Sequence, residues 1–223
     1  MKKLNAFPLV LMVLFSAFAT LPIAFSITDH SVELKVVITY AIPPTDNSMT
    51  NPHYKLLRYH SYSTINYYIN PANSYGFSQS AVVDTITGSA NTWDVETAYQ
   101  VFSYKGTTSS RIAGTRDGYN VISWGTYSAG VIAVTMSWVS GKRVLEADCR
   151  MNTYYSWSLT GEAGKMDVQN IVTHELGHFC GIADLYNDAD YWLTMYGYSN
   201  FAEIYKRTLG LGDIRGLEAF YGP

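Results

Sequence analysis

The sequence predicts an α+β fold in which a mixed, twisted β-sheet is backed by helices. Three observations support this prediction. Several segments alternate apolar and polar residues as strands do, and two segments repeat apolar residues at helical spacing. In chain order, one strand and one helix come before several further strands and a second helix. A chain of 223 residues is long enough for one such domain together with a processed N-terminal segment.

The regular elements begin near residue 61. The segment TINYYIN alternates apolar and polar residues across positions 65–69, which is the period of a half-buried strand. Ser78 can cap a helix whose apolar residues recur from Val82 to Trp93. AYQVFSY, NVISW, VIAVTMSW and RVLEADCR are further predicted strands, and SGK predicts a turn between the last two.

The N-terminal segment has the pattern of an export signal. Two lysines precede a long apolar stretch that carries no charge before Asp29. We therefore predict a signal peptide over residues 1–26, or a membrane anchor, since the stretch is long enough to span a bilayer. Residues 27–60 are predicted to be a prosegment or N-terminal arm with a linker, because residues 43–52 are rich in Pro, Asn, Ser and Thr.

Composition limits the partners and the location of the protein. A formal charge of -3 with 15% charged residues leaves no basic face, so we expect no nucleic-acid partner. The export signal predicts a secreted protein, or one anchored to the outer face of the membrane. In an oxidising compartment Cys149 and Cys180 are a disulfide candidate, and two buried free thiols are the alternative.

The segment VTHELGHFCGIADLY, residues 172–186, contains the main chemical signal. Asp167 can cap a helix that begins between residues 166 and 168, and on it His174 and His178 lie one turn apart. Two imidazoles so placed can bind one zinc ion. Glu175 lies about 100° further round the helix, where it can reach a metal-bound water without being a ligand.

A third ligand is expected from beyond this helix. Gly181 can adopt the left-handed conformation that ends a helix and turns the chain back. Asp184 can then present a carboxylate oxygen to the same ion, which leaves the fourth position open. Three protein ligands with an open position are typical of a catalytic zinc site.

These motifs resemble those of a known enzyme family. HELGHFCGIAD resembles the extended zinc signature of the metzincin endopeptidases, and its final Asp resembles the variant of the snapalysin group. LTMYGYS is similar to the metzincin Met-turn, and LGDIRGLEAFYGP resembles the closing helix of the matrixin catalytic domain. The likeness covers about residues 61–223. It implies a metzincin-like fold with a backing helix, an active-site helix, a Met-turn and a C-terminal helix.

The resemblance also implies a reaction and a substrate. A secreted zinc endopeptidase would hydrolyse peptide bonds by a zinc-bound water with Glu175 as general base. Met195 would lie beneath the metal, and Tyr196 and Tyr198 would be candidates for the substrate cleft. The strand over residues 131–138 would be the sheet edge to which an extended peptide adds. The expected partner is a peptide or protein substrate, and the expected state is a monomer.

Three alternatives stay open at the level of sequence. A gluzincin-type peptidase would use Glu203 as the third ligand. The acidic loop DLYNDAD could bind Ca²⁺ through Asp184, Asp188 and Asp190, although no clear calcium motif supports this. Finally, the protein could be a non-catalytic surface binding protein that keeps zinc only for stability. A disulfide between Cys149 and Cys180 would clamp the zinc helix to the sheet.

Overall fold

The computed structural model describes residues 32–40 and 50–223. The predicted signal peptide or anchor and most of the predicted linker lie outside these residues. The strands are β1 (Val32–Tyr40), β2 (Ile65–Ile69), β3 (Phe102–Thr107), β4 (Asn120–Gly125), β5 (Val131–Ser140), β6 (Arg143–Asn152), β7 (Trp157–Ser158) and β8 (Met166–Asp167). The helices are α1 (Gln79–Asp94), α2 (Val168–Cys180) and α3 (Leu211–Tyr221), with short 3₁₀ turns at Asp188–Asp190 and Tyr205–Arg207. Within the described ranges no helix has the length and apolar character needed to cross a bilayer.

Six strands form one mixed sheet in the order β1-β5-β6-β4-β2-β3. Strands β3, β2, β4 and β6 are parallel to one another, whereas β5 is antiparallel to both β6 and β1. The short strands β7 and β8 pair separately, just before α2. The predicted α+β class is therefore confirmed, including the C-terminal helix.

Local sequence accounts for most element boundaries. The Ser78 hydroxyl accepts the amide of Ala81 and so caps α1 as predicted. The strand predicted in AYQVFSY begins later, at Phe102. The carboxylate of Asp94, at the end of α1, accepts the amides of Val101 and Phe102 at 2.8 and 2.9 Å, which holds the chain in a loop up to that point.

The main core lies between the sheet and the helices. Both α1 and α2 bury apolar residues in it, and the indole of Trp93 donates to the carbonyl oxygen of Thr173 at 2.8 Å, which joins the two helices. A second, smaller cluster consists of Ala113, Val134, Met136 and Trp138. Val32 and Ile38 of β1 pack at its margin.

The prediction that β5 forms the edge of the sheet is wrong. β1 pairs with β5 from Val32 opposite Ser140 to Tyr40 opposite Val131 and covers that edge. The sequence VELKVVITY is rich in β-branched residues and alternates in part, so it is suited to strand pairing. Part of the predicted prosegment is thus a strand of the sheet.

The predicted disulfide is also wrong, because Cys149 and Cys180 are both free and buried. Cys149 lies near Glu175 in the middle of α2, whereas Cys180 is the last residue of that helix. Glu175 and Cys180 are five positions apart along α2, a rise of about 7.5 Å, so the two thiols lie at different levels of the helix. Burial raises the pKa of both thiols, so they pack as small apolar groups.

A buried acid on β6 anchors the loop that precedes β4. Asp148 accepts the amide of Gly114 at 2.6 Å and that of Val121 at 2.8 Å. Burial raises the pKa of Asp148 to about 7, and the neighbouring carboxylates of Glu146 and Asp117 act in the same direction. The folded protein therefore holds a proton here in a pH range where the unfolded chain has released it.

This proton predicts a pH-dependent stability. Since Asp148 has the higher pKa in the folded state, the free energy of unfolding should fall as the pH rises from about 4 to 7. The shift corresponds to at most about 4 kcal/mol over that interval. Urea unfolding of wild type and Asp148→Asn across this range should show that the variant lacks this component. Parallel curves for the two proteins would contradict the prediction.

Candidate metal centre

Local structure positions the helix that carries the motif. The carboxylate of Asp167 accepts the amide of Asn170 at 2.9 Å and caps α2, and Arg207 forms an ion pair with that carboxylate. Gly181 ends the helix in the left-handed region with φ +96°. A side chain at Gly181 would also come within 2.6 Å of the His60 side chain, so both conformation and space require glycine.

Three buried side chains converge just beyond this turn. His174 Nε2 and His178 Nε2 lie 3.1 and 3.5 Å from Asp184 Oδ1. These three atoms lie within 4.8 Å of one another and have no hydrogen-bond partner outside the group among the described residues. Buried polar atoms without partners are costly. Two imidazoles and a carboxylate are a donor set that suits zinc, so the residues fit a bound metal ion.

Each imidazole is oriented by a backbone carbonyl. His174 Nδ1 lies 2.6 Å from the carbonyl oxygen of Thr194, and His178 Nδ1 lies 2.8 Å from that of Ile182. An Nδ1–H that donates to a carbonyl leaves the Nε2 lone pair for a metal ion. Both rings therefore present the nitrogen that a metal needs.

The charges of the group are strongly coupled. Burial alone would raise the pKa of Asp184, yet the neighbouring His178 and His174 hold it far below its ordinary value. Burial would lower the pKa of His178, but the Asp184 carboxylate raises it to about 9. Asp184 is thus an anion, which is the form that a metal ligand requires, and a bound metal ion would displace the proton from Nε2 of His178.

Glu175 lies beside the ligand group, and the structure does not bring it into that group. Its side chain is fully buried, and its Oε2 accepts the hydroxyl of Thr135 on β5 at 2.5 Å. The negative charge of Glu175 acts on His178, as its contribution to the raised pKa of that residue indicates. No local pattern in the sequence points to Thr135, because the two residues are 40 positions apart in the chain.

Met195 packs against α2 at Gly177. A side chain added at Gly177 would lie 2.2 Å from Met195 Sδ and 2.9 Å from a ring carbon of Trp93. The amides of Thr194 and Met195 both donate to Asp213 of α3, at 2.8 and 3.0 Å. Asp213, which the sequence analysis missed, therefore holds the segment whose carbonyl orients His174.

This close packing predicts opposite effects for two helical glycines. Gly177→Ala should destabilise the protein by about 1–3 kcal/mol, because Met195 and Trp93 would have to move. Gly88→Ala in α1 is the matched control, since its new methyl group would meet only Gln169, at 3.7 Å. It should stabilise by up to about 1 kcal/mol through helix propensity. Urea unfolding measures both, and destabilisation of the same size in both variants would contradict this account.

Tyr186 supplies a hydroxyl group that sequence analysis did not find. Its hydroxyl donates to Asp184 Oδ2 at 3.0 Å, and its side chain is 49% exposed. A side chain at Gly197 would come within 2.5 Å of the Tyr186 ring. Glycine at position 197 thus leaves room for the ring of Tyr186.

We expect Tyr186→Phe to weaken metal binding. Its hydrogen bond orients the carboxylate of Asp184, and loss of such an outer partner costs about 10–100-fold in metal affinity. Competition with a chromogenic chelator measures the change. Tyr198→Phe is the control, because Tyr198 contacts the ring of Tyr186 but makes no hydrogen bond to Asp184. Equal affinities for the two variants would show that the hydroxyl does not orient the ligand.

The two tyrosines predicted for the substrate cleft have different positions. Tyr196 is buried, and its ring contacts those of Tyr191 and Tyr198. It also interacts with Asp188. Tyr198 is partly exposed and packs against Tyr186, next to the ligand group.

The alternative ligand Glu203 belongs to another buried network. Its Oε1 accepts the hydroxyl of Ser199 at 2.9 Å and the side-chain amide of Asn170 at 3.3 Å, and Lys206 forms an ion pair with it at 3.4 Å. The structure does not bring it to His174 and His178. A gluzincin-type ligand set is therefore not formed.

The alternative calcium site is not formed either. The Asp190 carboxylate accepts the side-chain amide of Asn51 at 2.8 Å and pairs with His53 at 2.9 Å. Asp184 lies with the histidines. In the parts of the chain that the structure describes, His174, His178 and Asp184 make up the one group of acidic, imidazole or thiol side chains placed to hold a metal.

Comparison with known proteins gives no family assignment. No family model matches the chain, and no curated protein matches it. What the protein does must therefore be inferred from the buried group of His174, His178 and Asp184 and from the residues around it.

Proposed function

We propose that the protein is a zinc-dependent endopeptidase of the metzincin type. One observation carries this proposal. His174, His178 and Asp184 form a group of three side chains placed to hold a metal ion, and no fourth such side chain joins them among the described residues. The acid Glu175 lies beside this group and is not a member of it. Structural zinc sites almost always have four protein ligands, whereas catalytic sites have three. A purely structural site also has no need of Glu175.

The order of the elements supports the same proposal. The zinc helix α2 follows a mixed sheet whose strands and backing helix have the order found in matrixins. Met195 then packs against α2, and the C-terminal helix α3 follows. The family assignment rests on this likeness and on the motif HELGHFCGIAD.

The residues of the chain have distinct roles in the proposed reaction. When bound, zinc would supply Lewis acidity to the attacking water and to the scissile carbonyl group. Glu175 takes a proton from that water as the water attacks the carbonyl carbon, and the same carboxyl group then delivers a proton to the leaving amine. Thr135 holds one oxygen of Glu175 in place. Tyr186 orients Asp184 from the exposed side.

Cleavage of an unstructured protein tests the function. The full chain is purified, stripped of metal with a chelator and reloaded with zinc, and mass spectrometry of the products locates new termini. We expect cleavage only with zinc, in the full chain or in the β1 variant described below. Stoichiometric zinc without cleavage in either form would overturn the proposal and favour a non-catalytic, zinc-stabilised binding protein.

Secretion and a processed N-terminus are part of the same proposal. The export pattern of residues 1–26 supports an extracellular enzyme, or one anchored on the outer face of the membrane. N-terminal sequencing of the secreted protein would give the residue at which the mature chain begins.

A further inference from the structure

β1 occupies the edge of β5 along almost its whole length. All 9 of its residues pair antiparallel with β5, from Val32 opposite Ser140 to Tyr40 opposite Val131. Among the described residues no strand pairs with the outer side of β1. β1 therefore lies where an extended peptide would lie if it added to the sheet as a further strand.

The middle of β1 is close to the candidate metal centre. Val37 is directly opposite Thr135, whose hydroxyl donates to Glu175. Opposed residues on antiparallel strands have Cα atoms about 4.5–5.5 Å apart, and their side chains point to the same face of the sheet. Val37 thus lies beside the residue that holds Glu175. A peptide that approached Glu175 along β5 would need the position of Val37.

Few side chains attach β1 to the rest of the protein. Leu34 and Val36 are 48% and 49% exposed, and no side chain in residues 32–38 is fully buried. Val32 and Ile38 make only partly buried contacts with the small cluster behind β5. Because backbone pairing with a single neighbour holds most of this strand, its local opening should cost little free energy.

The reactive side chains of the candidate site are closed to solvent. His174, Glu175 and His178 are all 0% exposed. β1 offers no imidazole or thiol group, since its sequence is VELKVVITY. Occupation of the β5 edge therefore depends on strand pairing and requires no ligand from β1 to the metal.

We propose that β1 competes with the substrate for the edge of β5. It occupies the β5 edge as an intramolecular strand, and an extended peptide binds there only after β1 has left. This inference rests on the proposed endopeptidase function and extends it to regulation. A competitor within the chain multiplies the apparent affinity for substrate by the fraction of open molecules, so the apparent KM rises, whereas the rate at saturating substrate stays the same.

Proline substitutions in the full chain can open this strand. Successive amides of an edge strand point alternately to the neighbouring strand and to solvent. Proline has no amide hydrogen, so the double variant Val36→Pro, Val37→Pro must lose one amide that pairs with β5. The matched control is Val36→Thr with Val37→Thr, which keeps both amides and the β-branched shape. We expect KM for a fluorogenic peptide to fall at least about tenfold in the proline variant, at unchanged kcat, and to stay near wild type in the control.

A second measurement does not depend on catalysis. In the Glu175→Gln background, hydrogen exchange of residues 131–140 should speed up in the proline variant. A synthetic peptide with the sequence of residues 32–40 should slow it again. Zinc content and the unfolding transition are measured on the same samples.

The outcomes separate the two proposals. A folded proline variant with fast exchange in β5 but unchanged KM would overturn the role of β1 as competitor. Loss of the cooperative unfolding transition would also overturn it, because β1 would then be an integral strand. If no variant cleaves any peptide while the synthetic peptide still protects β5, the endopeptidase function fails and the displaceable strand stands.

Discussion

Glu175→Gln should reduce peptide cleavage by about 10²–10⁴-fold while zinc remains bound. The amide keeps the size of the side chain and can still accept the hydroxyl of Thr135, but it cannot take a proton from water at neutral pH. The rate is compared with wild type in the full chain and in the Val36→Pro, Val37→Pro background. Metal analysis of the same samples gives the zinc content.

The decisive feature of this prediction is that Glu175→Gln should lower activity and leave the zinc content unchanged. Glu175 is not a member of the ligand group, so its neutral replacement should leave affinity for zinc near that of wild type. Thr135→Val serves as a second probe, since it keeps the acid and removes only the hydrogen bond to Oε2. Its rate should lie between those of wild type and Glu175→Gln. A Glu175→Gln protein that keeps both its zinc and full activity would exclude Glu175 as the general base.

Asp184→Asn should weaken zinc binding by more than about 100-fold, because even an outer partner of a ligand contributes about 10–100-fold. The neutral amide oxygen is a weaker ligand than the carboxylate that now lies 3.1 and 3.5 Å from the two imidazoles. Competition with a chelator of known affinity measures the loss, and activity should fall with zinc occupancy. Zinc that restores full activity at high concentration would be consistent with this role.

The same substitution should change the titration of His178 in the metal-free protein. Burial lowers the pKa of His178, and the charge of Asp184 reverses this and raises it to about 9. Without that charge the pKa should fall from about 9, because burial lowers it and only Glu175 and the carbonyl of Ile182 still raise it, and NMR titration of the imidazole can follow the change. Glu203→Gln is the matched control, because it neutralises a buried acid outside the ligand group. Loss of zinc in Glu203→Gln but not in Asp184→Asn would make Glu203 the ligand.

Local patterns in the sequence were enough to predict most of the elements. Alternation in TINYYIN and VIAVTMSW, the cap residues Ser78 and Asp167, and Gly181 at the end of α2 act within a few residues of the chain. The spacing of His174, His178 and Asp184 is local in the same sense. A helix and one turn suffice to bring these three side chains together, and the structure does so.

Contacts between distant segments could not be predicted in this way. The hydroxyl on Glu175 comes from β5, and the carboxylate that holds Met195 comes from α3, at Asp213. Spacing cannot indicate such partners, since each depends on how the sheet and the helices pack. The free thiols of Cys149 and Cys180 were mispredicted for the same reason, because an even number of cysteines says nothing about the distance between them.

The sequence by itself therefore determined the α+β class, the helix α2 and the three candidate metal ligands, because periodicity, caps and i to i+4 spacing are short-range properties of the chain. Only the tertiary structure decided that β1 covers the β5 edge and that Tyr186 reaches Asp184. It also decided that Glu203 lies in a separate network. Strand pairing and side-chain packing join residues far apart in the chain, and the free energy of those contacts depends on the whole fold.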